Sequence, residues 1–374
     1  MAIQKISIDQ FLELAKQYPV LDVRSPGEYV HAHIPDAFNL PLFSDEERKT
    51  VGTAYKQQSR EVAVKIGLDY FGVKMKSMVE EVERIIGNWQ SAIRNKQAQI
   101  VKKNEGPLPV ANCVLVHCWR GGMRSAGVAW LLELYGFKVY TLVGGYKVYR
   151  KWVLAQFEKD YPFQIIGGYT GSGKTLLVHQ LQKEGNAIID LEGLAHHKGS
   201  AFGALGEQPQ PKQEMFENLL ACKLSYPAAG IRQPVSSIWL EDESQRIGNL
   251  QIPMPLWYTM RKSPVCFLDI PFEERLKYIT EEYGRFEKEK LVNAILRIQK
   301  RLGGLETKNA INFLIENNLR ECFRILLTYY DKWYTKGLYN RENISALLNK
   351  IPCTGVDTET NTKKLLSCTV VAFS

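Results

Sequence analysis

The sequence predicts an α/β protein of two domains, each built on a parallel sheet, with a helical C-terminal portion. Three observations carry that expectation. Short apolar segments that read as strands alternate with helix-periodic segments, the pattern of parallel strands joined by crossover helices. Two of the strand-to-helix junctions hold glycine-rich loops, at 118–125 and 168–175. A length of 374 residues, at about 100 to 200 per domain, suits two such units.

Taken in order, Ser7 and Asp9 are candidate caps for a helix over 7–17, which leads into VLDVRSPGEY, an apolar strand and a turn. From about 44 to 106 the text becomes charged and helix-periodic, until NEGPLP breaks it, so this stretch reads as a helical insertion. Strand resumes at NCVLVHC, a helix follows at SAGVAWLLELYG, and KVYTLVGGY supplies another strand and turn. The first domain then closes near residue 150, and the second takes 151–374. In it, 151–160 reads as a connecting helix, followed by strands at FQII, NAIID (186–190), PVSSIWLE (234–241) and PVCFLDI (264–270). Beyond Glu273 the chain reads as helices whose mixed charges, three and four apart, form a solvated face.

Composition narrows the function classes. Hydrophobic content of 45% with 24% charged residues is that of a soluble globular chain, not a disordered one. No run approaches the ~20 apolar residues of a membrane helix, and the first residues lack a signal-peptide pattern, so a cytoplasmic protein without membrane association is expected. Seven cysteines, odd in number and without a CxxC pair, argue against a disulfide framework or a zinc cage. The formal net charge of +8 would help attract a polyanion such as RNA, and it is also common in proteins that bind none.

The first loop reads HCWRGGMRS. Backbone N–H groups wrapped toward one point at a helix N-terminus, with Arg120 and Arg124 nearby, would stabilise a Cys118 thiolate and hold an anion over it. Cys113, by contrast, lies inside an apolar strand with no basic neighbour. The second loop, GYTGSGKT, satisfies GxxxxGK[ST] with a strand before it and a helix after it. Gly168, Gly171, Ser172 and Gly173 would shape a phosphate cradle, Lys174 would reach terminal oxygens, and Thr175 would ligate a magnesium ion. For the acidic partner, Glu241 is the first candidate, with Asp190 and Asp269 competing. A solvated turn over 241–243 is the plainer alternative. His196 and His197 follow a strand and would face the anion, or form a polar loop with one ring packed inward; no certain metal site is defined.

The segment LDVRSPGEYVHAHIPDAFNLPL resembles the N-terminal rhodanese signature, matching at Asp22, Arg24, Glu28, His33, Ile34, Pro35, Ala37 and Asn39. GFKVYTLVGGY is similar to the segment after the rhodanese active-site helix. Ala32 and Asp36 stand where rhodaneses often carry glycine. Five residues separate Cys118 from Arg124, the HCx5R spacing of cysteine phosphatases, one longer than sulfur-transferring rhodaneses usually have. A cysteine phosphatase fused to a kinase-like P-loop domain is therefore the rival reading, and a non-catalytic tRNA-binding or sulfur-carrier module a third.

Together, HCWRGGMRS, LVGGYKVYRKWV, GGYTGSGKT, DLEGLAHHKGSAFG and WLEDESQRIG resemble the tRNA 2-selenouridine synthase family, with Lys198 where an arginine is expected. The resemblance implies a selenotransferase that replaces sulfur by selenium in wobble 2-thiouridine of tRNAs for lysine, glutamate and glutamine, acting at the anticodon arm. It further implies selenophosphate and geranyl diphosphate as co-substrates, a geranylated intermediate, Cys118 as acceptor of selenium as a selanyl-cysteine, and Lys174 against the departing pyrophosphate. No tightly bound cofactor is expected.

Overall fold

The computed structural model describes residues 3–100, 112–225 and 237–369. The end of the expected insertion, 101–106, and the start of the expected strand at 234–236 lie outside them. The chain folds as two compact units, residues 1–155 and 156–374.

The first unit is a five-stranded, all-parallel sheet of β1 (Gln4–Ile6), β2 (Val20–Asp22), β3 (Phe38–Asn39), β4 (Cys113–His117) and β5 (Lys138–Leu142), in the order β1-β5-β4-β2-β3. Helices α1 (Ile8–Ala15) and α2 (Pro26–His31) open on serine capping boxes, Ser7 with Gln10 and Ser25 with Glu28. Three helices fill the insertion, α3 (Asp45–Gln57), α4 (Arg60–Gly72) and α5 (Met75–Ile100), the first two capped by Ser44 and Ser59. Their apolar faces are part of the core. Phe71, Met78, Val82 and Ile86 are buried with Leu21, Val114, Val116 and Leu132, each contributing about 1.5 to 3 kcal/mol through burial. Then α6 (Met123–Tyr135) follows the cysteine loop, and α7 (Gly145–Gln156) begins six residues before the expected connecting helix. Its early start follows from Gly144 and Gly145, whose left-handed backbone lets the N–H groups of Tyr146 and Lys147 reach the carbonyls of Cys118 and Trp119 at 2.8 and 3.0 Å.

The second unit holds β6 (Phe163–Gly168), the phosphate-loop helix α8 (Lys174–Lys183), β7 (Ala187–Ile189), α9 (Leu191–Ala195), α10 (Gln213–Ser225) and β8 (Ile238–Glu241). After a small antiparallel hairpin, β9 (Arg246–Ile247) and β10 (Leu250–Gln251), come α11 (Met254–Lys262) and β11 (Val265–Asp269). Helices α12 (Phe272–Tyr283), α13 (Lys288–Leu302), α14 (Gly304–Ile315) and α15 (Leu319–Tyr339) form their own apolar cluster around Leu276, Ile295, Leu314 and Phe323. The short α16 (Ile344–Leu347), β12 (Leu348–Pro352) and α17 (Thr358–Thr369) follow. The parallel sheet has the order β12-β11-β6-β8-β7, so the phosphate-loop strand β6 is central and β8 is its neighbour. β12 was not legible as a strand because LNKIP has no apolar run; it lies at the sheet edge, where polar residues and a terminal proline are tolerated. Among the described residues no helix is long and apolar enough to cross a membrane.

Candidate active site

Cys118 follows β4 directly and is 3% exposed. Burial pushes its thiol pKa up, but the Ser125 hydroxyl at 3.3 Å and the backbone N–H groups of Ser125, Arg120 and Gly122 outweigh it, and the pKa is lowered. The thiolate is thus favoured by hydrogen-bond donors to its charged form. The guanidinium groups are not among these donors. The Arg120 side chain is exposed, and Arg124 donates to Glu28 at 2.8 Å, a carboxylate that Arg48 also holds at 2.7 Å. Behind the loop, Gly145 has a φ of 59°, and a Cβ there would run into the Cys118 carbonyl and the Gly121 amide. Only glycine lets the turn after β5 close on the cysteine loop.

The rhodanese-like residues support this loop from below. Asp22, at the end of β2, pairs through both carboxylate oxygens with Arg24, which is 1% exposed, donates to the Ala32 carbonyl at 2.8 Å and lies 3.8 Å from the Tyr146 ring centroid. Asn39 donates to the carbonyls of Asp22 and Arg24 at 3.0 and 3.1 Å. Burial pushes the Asp22 carboxyl up, yet His117 and Arg24 hold its pKa below the ordinary value. Burial moves the His117 imidazole the opposite way, down, so it is neutral near pH 7, and of the two it is Arg24 that acts there. Of the two departures from glycine, Ala32 is extended, which any residue adopts, while Asp36 has a left-handed φ of 63° that aspartate tolerates.

The phosphate loop connects β6 to α8. Gly171 has a φ of 83°, and a Cβ on it would meet Ile279 at 2.7 Å, so α12 packs flush against the loop. Lys174 donates to the Gly168 carbonyl at 2.9 Å, and Ser172, buried, donates to the Tyr169 carbonyl at 2.6 Å. Residues far along the chain clamp this loop. Arg275 of α12 donates to the Thr170 carbonyl at 3.1 Å and binds Asp331 of α15 through two nitrogens at 2.9 and 2.8 Å. Tyr334, also on α15, accepts from the Gly168 N–H at 3.1 Å and donates to Asp242 at 2.7 Å, and Asp242 in turn pairs with Arg341. Sequence reasoning missed Arg275, Asp331, Tyr334 and Arg341. The mixed charges after Glu273 carried no signal separating these buried partners from a solvated face.

The acidic residues sort differently from expectation. Glu241 is fully buried, takes the Leu191 N–H at 3.2 Å and does not line the cleft above the loop; its neighbour Glu243 does. Glu192, three residues past β7, accepts from the Thr175 hydroxyl at 2.7 Å. Asp190 caps α9 through the Gly193 N–H at 2.6 Å and faces His179 at 3.2 Å, while Asp269 is exposed at the end of β11. Burial, followed by repulsion from neighbouring carboxylates, raises Glu241 and Glu243 well above the ordinary range. Glu192 rises less, since burial is opposed by Thr175 and Lys174. Neither His196 nor His197 lines the cleft: His196 contacts the Pro209 carbonyl at 3.0 Å, and His197 is packed inward. Lys198, at the cleft, is held by Glu282 at 3.0 Å.

The loop forms the floor of a cleft of about 910 Å³ whose walls include Trp257, Tyr278, Tyr329, Tyr330, Trp333 and Tyr334. An anion site under aromatic walls suits a phosphate ester with an apolar or planar remainder. No three His, Cys, Asp or Glu side chains among the described residues are arranged as a metal site. The donors that are present, the Thr175 hydroxyl and the Glu192 and Glu243 carboxyls, are hard oxygens that fit a magnesium ion completing its shell with phosphate and water.

Comparison with known proteins accords with both units. Residues 7–66 match the rhodanese-like domain, and residues 161–350 match the tRNA 2-selenouridine synthase AAA domain. A tRNA 2-selenouridine synthase of Hydrogenovibrio crunogenus is 36% identical over 87% of this chain and 91% of its own length. That of Serratia proteamaculans is 38% identical over 75% of this chain and 69% of its own length, and that of Bdellovibrio bacteriovorus is 32% identical over 91% and 94%. With a lowered-pKa cysteine loop in one unit, a clamped phosphate loop in the other, and this likeness along most of its length, the chain belongs to the tRNA 2-selenouridine synthase family.

Proposed function

We propose that the chain replaces sulfur by selenium at C2 of wobble 2-thiouridine in tRNAs for lysine, glutamate and glutamine, through a geranylated intermediate. The observation that carries this reading is the phosphate loop lying at the floor of an aromatic-walled cleft, which suits a prenyl diphosphate better than a bare phosphate. In the first step the C2 sulfur attacks C1 of geranyl diphosphate, the C–O bond breaks, and pyrophosphate leaves with the bonding pair. The loop amides and Lys174 take up its charge, and a magnesium ion held by Thr175 and Glu192 would supply further neutralisation.

In the second step selenium from selenophosphate takes the place of the geranyl thiolate at C2, served by the Cys118 loop. Two routes differ in their phosphorus product. Attack of Sγ on selenium breaks the Se–P bond, leaves its pair on phosphorus as phosphite and gives a selanyl-cysteine; once its selenium has displaced the geranyl thiolate at C2, an added thiol cleaves the S–Se bond, releasing 2-selenouridine and leaving Sγ in a disulfide. Attack of selenium on C2 followed by hydrolysis of the Se–P bond leaves phosphate, which phosphorus NMR distinguishes.

The test is mass spectrometry of nucleosides from tRNA incubated with selenophosphate, with and without geranyl diphosphate. Lys174→Ala should leave 2-thiouridine unmodified, slowed about 100- to 1000-fold, the size of one lost oxyanion donor. Cys118→Ser should geranylate and stop there. If both variants halt at 2-thiouridine, the division of steps is wrong; hydrolysis of an aryl phosphate through Cys118, without selenium transfer, would replace the reading by a phosphatase.

A further inference from the structure

We propose that Trp333 is the platform on which the target base of the tRNA stacks beside the phosphate loop, with Arg301 and Lys336 holding the adjoining RNA backbone. The inference rests on the tRNA reading above and gives it a location. An exposed tryptophan alone carries little meaning, because single apolar side chains are common on protein surfaces. Three further observations distinguish this one.

The ring is 43% exposed yet lines the same cleft whose floor is the phosphate loop. Two cations flank it, the Arg301 guanidinium 5.9 Å and the Lys336 ammonium 5.3 Å from its centroid. Neither has a carboxylate partner among the described residues, whereas Arg320 and Arg324 at the other end of α15 both engage Glu273 at 2.6 Å. A face that keeps two cations uncompensated around an open aromatic ring is complementary to a polyanion that also carries flat bases.

Register on α15 supplies the link to chemistry. Tyr334, next to Trp333, bonds the first amide of the loop at Gly168, and the Lys174 ammonium lies 5.8 Å from the Tyr334 ring. Tyr329, one turn before Trp333, meets its ring edge-on at 6.4 Å and fixes that side of the platform. For the exocyclic sulfur on C2 to reach the carbon bonded to a diphosphate, the base must be drawn out of its own stack and held next to the phosphate site. Stacking on Trp333 places it there without demanding a particular sequence.

The experiment measures affinity of the full chain for two anticodon stem-loops, one with the wobble base and one abasic at that position. The unaltered protein should favour the base-bearing RNA about tenfold or more, the size of one stacked base. Trp333→Ala should bind both alike, Trp333→Phe should keep most of the preference, and pyrophosphate binding reports that the loop is still folded. Arg301→Ala and Lys336→Ala should each lower the slope of log affinity against log salt by about 0.7, one phosphate contact to a single strand. Preference retained in Trp333→Ala, or absent from the unaltered protein while it binds RNA, overturns the platform and leaves the proposed function standing. Unchanged salt slopes overturn the cation assignment. An unaltered protein that binds neither stem-loop overturns the tRNA reading itself, and the platform with it.

Discussion

The two anion loops of this chain have the same local plan, a parallel strand, a glycine-bearing loop and a helix, yet they are held by different means. The cysteine loop is supported by nearby backbone: Tyr146 and Lys147 bind its carbonyls, Gly145 closes against it, and its own amides with Ser125 stabilise the thiolate. The phosphate loop is held by side chains more than a hundred residues away, Arg275 on Thr170 and Tyr334 on Gly168, themselves anchored by Asp331 and Asp242. One loop is closed by backbone at the end of the next strand, with the Asp22–Arg24 pair beneath it, while the other needs side chains of the helices that follow its sheet.

The largest effect expected from breaking this comparison is on the buried pair under the cysteine loop. Asp22→Asn leaves Arg24 charged and buried without a carboxylate, which costs about 3 to 5 kcal/mol and lowers the melting temperature of the first unit. In the unaltered protein the Asp22 pKa is depressed on folding. Its stabilisation is therefore present above the ordinary aspartate value of about 3.9 and lost as pH falls through the folded value. Acid unfolding followed by circular dichroism should show this loss, and Asp22→Asn should abolish that part of the pH dependence.

Next in size is Asp331→Ala, which strips the Arg275 clamp of charged hydrogen bonds worth about 1.5 to 3 kcal/mol. Pyrophosphate affinity, read by calorimetry, should fall about tenfold or more, while Cys118 alkylation by iodoacetamide stays as it was. A matching loss at Cys118 would mean the loops are not separately supported. Ser125→Ala should do the opposite. It removes the largest group lowering the Cys118 pKa, so the thiol titrates higher and alkylation below that pKa slows several-fold, with pyrophosphate binding unchanged. An unaltered rate-against-pH profile would assign the thiolate's stability to the backbone amides alone.

Below the ordinary glutamate range Glu241→Gln should have the smallest effect, within about 1 kcal/mol, since glutamine still accepts the Leu191 N–H. Burial raises the Glu241 pKa on folding, and Asp190 and Glu192 raise it further. Its contribution is therefore fully present below the ordinary glutamate value and is lost as pH rises toward the folded one. The variant should flatten the decline of stability as pH rises above the ordinary glutamate value, and be the more stable protein at neutral pH, in denaturant titrations.

Much of this was legible in the sequence because it is written locally. The alternation of apolar strands and helices, the cap at Ser7, the two glycine loops and the pair of glycines after β5 each depend on residues a few positions apart. Local spacing also placed Cys118 and Lys174 at strand-to-helix junctions. Which charges are buried was not legible. Arg124 reads as a partner of Cys118 and is turned to Glu28, 96 residues earlier. Glu241 reads as the residue facing the phosphate loop, yet it lies behind it, and Glu192 takes the Thr175 hydroxyl instead. Asp331 and Tyr334 look like any polar residues of an amphipathic helix until α15 packs on the loop. Backbone motifs are set along the chain, because φ preferences, caps and apolar periodicity act over a few residues. The partners of each charge are set by packing, because an ion pair or hydrogen bond joins whichever groups come within about 3 Å, whatever their separation along the chain.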